Sequence, residues 1–446
     1  MLNAAEKYST VIHESADEAR KPVSALYRLF VSIAERPETA IVACALALFQ
    51  FVRMLLARRD SYAERDFSSY YVWGAALRRH IDPYTTNLDP LARQLGVHIK
   101  AGATANYPPT FIMLWEPLAS LGPVAAYWIW IALSLILLAG TLMLLFGRRI
   151  GLPSMVAFEL AALAILYEPL KIHFYFAQTQ VLILFLIVAA MAQLKRGSDG
   201  SAGMILALAS LLKAYPLVLG AYLILTRRWR GAAFMTVGVL IGFAITLAIV
   251  GLPGLGFFGS SSLNMNLQLA GPGRRLLPTV SIAGTLERVF LYSDLLPLHD
   301  LAREVLTIAG YVFVLALTVV ATLSSAIDQR RSKQAFGLWV TAMVLLTPGA
   351  WIHYMVLLLA PLALLAEAVL NGEASKAAVL CAVASYILTQ ICWAILGSAS
   401  QLPPWLENTL TESAFVSVVL VFVAGFLLCI QRVDRRESGD FLVTNP

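Results

Sequence analysis

Apolar runs of about 20 residues, the length that crosses a bilayer, recur along almost the whole chain, and short connectors rich in arginine and lysine separate them. Such runs read as helices, which satisfy their own backbone groups in lipid; the period-two alternation of a barrel strand is missing. Spans are expected at 39–57, 123–146, 152–171, 179–194, 232–251, 304–324, 335–350, 352–370, 376–397 and 413–431. Two apolar stretches break the pattern. Residues 107–121 are short and hold Glu116-Pro117, and residues 201–225 are interrupted at Lys213-Ala214-Tyr215-Pro216. The expected fold class is an all-α polytopic membrane protein of about 10 to 12 transmembrane helices.

Charge bias places the connectors. If 107–121 is re-entrant and 201–225 is a broken hairpin that starts and ends on one side, every short basic loop falls in the cytoplasm. Those loops are Arg148-Arg149, Lys195-Arg196, Arg227-Arg228-Trp229-Arg230, Arg330-Arg331 and the tail at 432–436. Simple single spans would push the first two outside. The first arrangement is preferred, and it puts two long loops, 58–106 and 252–303, on the outer face together with the turn at 171–180. It divides the chain into a cytoplasmic tail (1–37), a membrane domain (38–431) and a second cytoplasmic tail (432–446). The first apolar core begins near Thr39, so the first span reads as an uncleaved anchor.

Composition agrees and narrows the class. Hydrophobic residues make up 59% and charged residues 13%, too much apolar side chain for a water-soluble fold to hide. A net charge of +6 is here the positive-inside signal, not a nucleic-acid footprint. Cys44, Cys381, Cys392 and Cys429 sit in apolar runs with no ligand spacing, so they read as packing, and no metal or cofactor is expected.

Candidate chemistry lies in the polar breaks. The stretch from Arg65 to Leu77 sets Asp66 among aromatics just after the first span, where an enzyme acting on a lipid-borne substrate would keep a base. Tyr70, Trp73, Ala76 and Leu77 share a helical face, which is expected to lie along the interface with Tyr and Trp at headgroup depth. A lysine, histidine or glutamate near the bilayer centre costs about 2.5 to 3.5 kcal/mol in its charged form, so each needs a reason. Lys213, at a helix break, either meets an anion in an outer-facing cavity or snorkels and pairs. His353, in Thr347-Pro348-Gly349-Ala350-Trp351-Ile352-His353-Tyr354, is either functional or a hydrogen-bonded core residue. Glu116 and Glu168 each precede a proline near a helix end and read as structural. The outer loops keep Arg58, Arg59, Arg78, Arg79, Arg274, Arg275 and Arg288; long loops obey the charge rule weakly, and the sharper reading is that some of these bind phosphate.

These motifs carry a resemblance. Asp66-Phe67-x-x-Tyr70-Tyr71 with Asp82-Pro83-Tyr84, the Tyr107-Pro108-Pro109 turn, Gln178-x-Gln180, Leu212-Lys213-Ala214-Tyr215-Pro216 and Trp351-x-His353-Tyr354 together look like glycosyltransferase family 87, over roughly 38–430. That family belongs to the GT-C superfamily and includes polyprenol-phosphate-mannose-dependent mannosyltransferases. Where the family usually has Gly-Gln this chain has Ala177-Gln178, and Gln180 stands where Asn is common. Its second outer loop echoes the family only loosely, at 264–268.

The resemblance implies a GT-C helical bundle that moves a sugar, mannose or a similar monosaccharide, from a polyprenyl-phosphate donor to an acceptor hydroxyl on a glycolipid or glycan. Transfer would invert the anomeric centre, at the outer face of the plasma membrane. It makes Asp66 the base, with Asp82 its rival, and gives His353 a catalytic place. Lys213, Arg274 and Arg275 are expected at the donor phosphate, and Tyr70, Tyr71, Asp82, Gln178, Gln180 and Trp351 at the substrates. A polyprenyl phosphate leaves as a stable anion, so one carboxylate suffices; what the leaving group needs is positive charge in a water-poor site. The reading from another class is a transporter or flippase of a lipid-linked sugar, since broken helices with midplane charges serve transport as well.

Overall fold

A computed structural model describes residues 36–57, 66–100, 104–147, 154–268, 279–291, 299–325, 329–398 and 404–431. The helices, in chain order, are α1 (Pro37–Ala57), α2 (Asp66–Arg78), α3 (Asp89–Gln94), α4 (Pro109–Trp115), α5 (Pro123–Phe146), α6 (Ser154–Leu166), α7 (Glu168–Phe176), α8 (Gln180–Lys195) and α9 (Asp199–Leu212). They continue as α10 (Leu219–Leu225), α11 (Trp229–Gln268), α12 (Ile282–Leu291), α13 (His299–Ser325), α14 (Gln329–Leu346), α15 (Leu359–Leu370), α16 (Lys376–Ser398) and α17 (Pro404–Ile430). Among the described residues the sole extended pairing is a single antiparallel bridge between Thr279 and Trp351.

The expected all-α, multi-span class is what the chain adopts. Among the described residues, five helical stretches are long and apolar enough to cross a membrane: Pro123–Phe146, Trp229–Gly251, Leu301–Ser325, Ile352–Leu370 and Glu412–Ile430. Shorter apolar helices accompany them at Met155–Leu166, Gln180–Lys195, Asp199–Leu212, Tyr215–Leu225 and Lys376–Ile391. Their outward faces leave Ile136, Met143, Leu240, Phe243, Val312 and Phe313 exposed, apolar side chains suited to lipid.

Several expected spans are broken. The run at 152–171 is cut at Tyr167, because Glu168-Pro169 starts a new helix. Gln390 of α16 repairs the cut: its Oε1 accepts from the Glu168 N–H (2.7 Å) and its Nε2 donates to the Leu166 carbonyl (2.9 Å). Backbone groups freed at membrane depth must find such partners. Glu168 pairs with Lys171 one turn on, the structural role expected of it. The span at 352–370 begins as a 3-10 turn, Ile352–Leu358, and the last helix starts at Pro404, earlier than the apolar run suggests. Residues 252–268, expected as loop, continue α11 past a kink at Gly251, whose φ is 68°.

Residues 107–121 form no span. They give the seven-residue α4 and a 3-10 turn, Leu118–Ser120. At 1.5 Å per residue α4 is about 10 Å long, a third of a hydrocarbon core. It packs on α2, and Gly74 allows that approach: a Cβ there would sit 2.6 Å from the Trp115 carbonyl carbon. The interfacial placement expected for α2 is therefore corrected. Phe67, Ser68 and every residue from Tyr70 to Ala76 are buried, so the helix is enclosed by protein and not laid on headgroups.

Residues 199–225 make the broken hairpin. α9 runs parallel to α11: Gly203 meets Gly231, Ala207 meets Gly238 and Leu211 meets Gly242. Small residues allow this closeness. Helix α9 ends at Lys213, which is extended, and the chain returns through the 3-10 turn Tyr215–Val218 and α10. Arg228, just past α10, then pairs with Asp199 at the start of α9 (2.6 Å) and reaches the Leu194 carbonyl at the end of α8 (3.3 Å). Both feet of the hairpin share one end of the bundle, and Lys213 is at its tip. Thr110 of α4 donates to the Leu211 carbonyl, a group the break sets free.

Candidate active site

Five interruptions of helix converge around that tip: the start of α2, the Tyr107 turn before α4, the turn at 177–180, the hairpin itself and the 3-10 turn at 352–358. Each brings a polar side chain, and each interruption has a local cause. Pro108 precedes and Pro109 opens α4, and Pro216, which has no N–H, cannot continue α9. Between α7 and α8 the chain turns through Ala177, which adopts the left-handed conformation (φ 51°, ψ 47°) and is pinned by the Trp130 indole N–H on its carbonyl (3.0 Å). That conformation costs a non-glycine residue roughly 1 to 2 kcal/mol.

The turn delivers Gln178 to Asp66. Its Nε2 donates to Asp66 Oδ2, while its Oε1 accepts from the Tyr70 hydroxyl (2.9 Å). Tyr70 also meets the Tyr107 hydroxyl at 3.1 Å. Since a phenol has one proton and Tyr70 gives its own to Gln178, Tyr107 is the donor in that pair. The chain Tyr107 to Tyr70 to Gln178 thus ends on the carboxylate and fixes its direction. Asp66 keeps intermediate exposure, so it remains reachable.

Lys213 is the counterpart. It is 3% exposed, and its Nζ has no hydrogen-bond partner. The ammonium lies 4.8 Å from the ring centres of both Tyr107 and Tyr354, and it interacts electrostatically with Asp66, His173 and His353. Cation–π contacts contribute about 2 kcal/mol when desolvated, but they do not replace an anion. Gln180 accepts from Tyr215 (2.6 Å) through Oε1, and its buried Nε2 has no partner. His353 is buried, 5.1 Å from the Tyr354 ring and 6.2 Å from that of Trp351. An unmet buried donor costs about 1 to 3 kcal/mol, more when charged. Several of them at one place describe a site shaped for a ligand rich in acceptor oxygens.

His173 was not legible as a site residue. It is 1% exposed with both ring nitrogens unpartnered, beside Lys213 and His353 in the electrostatic sense above. A single histidine inside Lys171-Ile172-His173-Phe174 offers no spacing to mark it. Two expected residues are drawn elsewhere. The Tyr71 hydroxyl donates to the Leu121 carbonyl (2.6 Å), bracing α2. Asp82 closes its own turn, accepting from the Tyr84 N–H (2.8 Å) and Thr85 Oγ1 (2.6 Å). Tyr84 in turn donates to the Tyr107 carbonyl (2.8 Å); burial, then the Asp82 charge, holds its phenol above the ordinary range, so it stays a donor. Arg288, counted among the arginines that could bind phosphate, is instead engaged by Glu412, Thr279 and Thr285. Arg274 and Arg275 lie outside the described residues.

An all-helical bundle with membrane-crossing helices, in which a half-buried carboxylate and a buried lysine without a hydrogen-bond partner meet at helix breaks, fits a membrane enzyme or a carrier. Comparison decides between those classes. Residues 105–348 match the sequence profile of Glycosyltransferase family 87, more than half of the chain, and the protein belongs to that family: it is a membrane glycosyltransferase. The match covers the Tyr107 turn, Gln178, Gln180 and Lys213. Comparison with curated protein sequences gave no match. Among solved structures the chain is similar to ArnT from Cupriavidus metallidurans in the apo state, at 15% identity and a TM-score of 0.37, covering 86% of this chain and 76% of that one. A likeness of that degree assigns no residue roles.

Proposed function

We propose that this glycosyltransferase takes mannose or a similar monosaccharide from a polyprenyl-phosphate donor and places it, with inversion, on a hydroxyl of a glycolipid or glycan at the outer face of the plasma membrane. The observation that carries the reading is the buried Lys213 ammonium, without a hydrogen-bond partner and within electrostatic reach of the glutamine-held Asp66. Asp66 takes the proton of the acceptor hydroxyl as its oxygen attacks the anomeric carbon. The polyprenyl phosphate departs as an anion, so no acid is required, and Lys213 and His353 meet its oxygens in a site closed to water. Arg274 and Arg275, between α11 and α12 in the chain, add charge there. Gln180, Tyr70 and Trp351 contact the sugars, while Gln178 orients the base. Tyr71 and Asp82 brace α2 and the Tyr107 turn. The outer-face assignment rests on the hairpin: it gathers Lys195, Arg196, Arg227, Arg228 and Arg230 at one end, the cytoplasmic signature.

The test is transfer from a panel of radiolabelled polyprenyl-phosphate sugars into membrane lipids and glycans, with wild type and Asp66→Asn at equal folded amounts. Asparagine keeps the shape and removes the base, so a loss of about 10²- to 10⁴-fold is expected. Full transfer by the variant would remove Asp66 from the chemistry. Uptake or flipping of a lipid-linked sugar without bond transfer would favour a carrier.

A further inference from the structure

The wall that carries His353 is held from a distance. Thr279 bridges to Trp351, the Val280 N–H donates to the Ala350 carbonyl (2.7 Å), and Ser281 Oγ donates to the Pro348 carbonyl (2.8 Å). This short strap lies along the backbone immediately before His353. Its other end is tied by Arg288 of α12. Nη1 of Arg288 donates to Thr279 Oγ1 (2.7 Å), and Nη2 donates to Thr285 Oγ1 (3.1 Å). The remaining fork grips Glu412 of α17, with Nε to Oε1 at 2.7 Å and Nη2 to Oε2 at 3.3 Å. Arg288 is 3% exposed, and Glu412 lies 124 residues away in the chain. A bidentate guanidinium fixes direction as well as charge.

We propose that Arg288, clamped by Glu412, is a positioning residue: through Thr279 it sets the 348–351 backbone, and with it the placement of His353 toward the Lys213 cluster. The proposal rests on reading His353 as part of the active site. Arg288 touches no substrate in this role. The ion pair anchors the outer-loop helix to the membrane bundle, and one nitrogen of the same guanidinium passes that anchorage to the strap. A displacement of about 1 Å at a reacting group can cost 10²-fold in rate, so a partial loosening is expected to register in turnover before it registers in binding.

Breaking the ion pair outright risks the fold, so the decisive variant is Thr279→Val, which removes the hydroxyl that Arg288 holds and leaves Arg288–Glu412 intact. Its kcat is expected to fall roughly tenfold with the donor KM within about threefold, and Thr279→Ser is expected to restore it. In a His353→Asn background Thr279→Val is expected to add little further loss, because both act through one group. A kcat within about twofold of wild type, or an undiminished loss in the His353→Asn background, would overturn the proposal. Hydrogen exchange supplies a readout independent of turnover: the Val280 amide is expected to lose protection in Thr279→Val, and wild-type protection would equally reject the clamp. Should wild type transfer no sugar from any donor, the proposed reaction fails, and exchange still decides whether the strap is held.

Discussion

Two buried polar clusters in this bundle have opposite bookkeeping. Between α16 and α17, Ser385 Oγ reaches the Ser417 carbonyl (2.8 Å), Ser417 Oγ reaches the Ser385 carbonyl (3.0 Å), and Thr389 Oγ1 meets Ser417 Oγ (2.5 Å). Every hydroxyl has a partner inside the protein, on unbroken helices. Around Lys213 the helices are broken, and Lys213 Nζ, Gln180 Nε2 and both nitrogens of His173 have none. Both clusters are buried, so burial alone does not separate glue from site. What separates them is satisfaction: the first is met inside the protein, and the second leaves polar groups without a protein partner.

Substitutions can sharpen that contrast or break it. The largest effect is expected from Lys213→Gln, which removes the charge but retains a donor: kcat/KM for the phosphate donor should fall on the order of 10²-fold with folded yield unchanged. Lost expression instead would move Lys213 to the structural class. Gln178→Leu deprives Asp66 and Tyr70 of their shared partner and should lower kcat about tenfold or more, read by initial rates at saturating donor. In the hydroxyl cluster the pattern should reverse. Ser417→Ala is expected to leave transfer within about twofold while lowering stability by about 0.6 to 1.7 kcal/mol, measured by unfolding in detergent. A large loss of activity there would dissolve the distinction. The smallest effect is at the 177–180 turn, where Ala177→Gly relieves the left-handed strain and should stabilise the protein by up to about 1 kcal/mol.

Local sequence carried much of this. Pro216 and the lysine before it announced a break in an apolar run, and the hairpin follows from the same basic ends that biased the topology. Asp66, Gln178 and Lys213 stand in short motifs, and the structure brings them together. Three features were not legible because their causes are remote. The repair of the break at Glu168-Pro169 comes from Gln390, 222 residues beyond Glu168. Arg288 looked like one more outer arginine until Glu412, far along the chain, met it. Helix α2 has the face of an interfacial helix, and only the packing of α4 beneath Gly74 shows that both its sides are covered. His173 had no motif; its mark is two unpartnered nitrogens, which only packing reveals.

The measurement that goes most directly to the satisfaction argument is binding of a polyprenyl monophosphate and of the polyprenol of the same length to wild type in nanodiscs, by native mass spectrometry. The phosphate form is expected to bind and the alcohol to bind far more weakly, with the difference erased in Lys213→Gln. Equal binding of phosphate and alcohol by wild type would mean that the unmet donors around Lys213 are not reserved for the donor's phosphate.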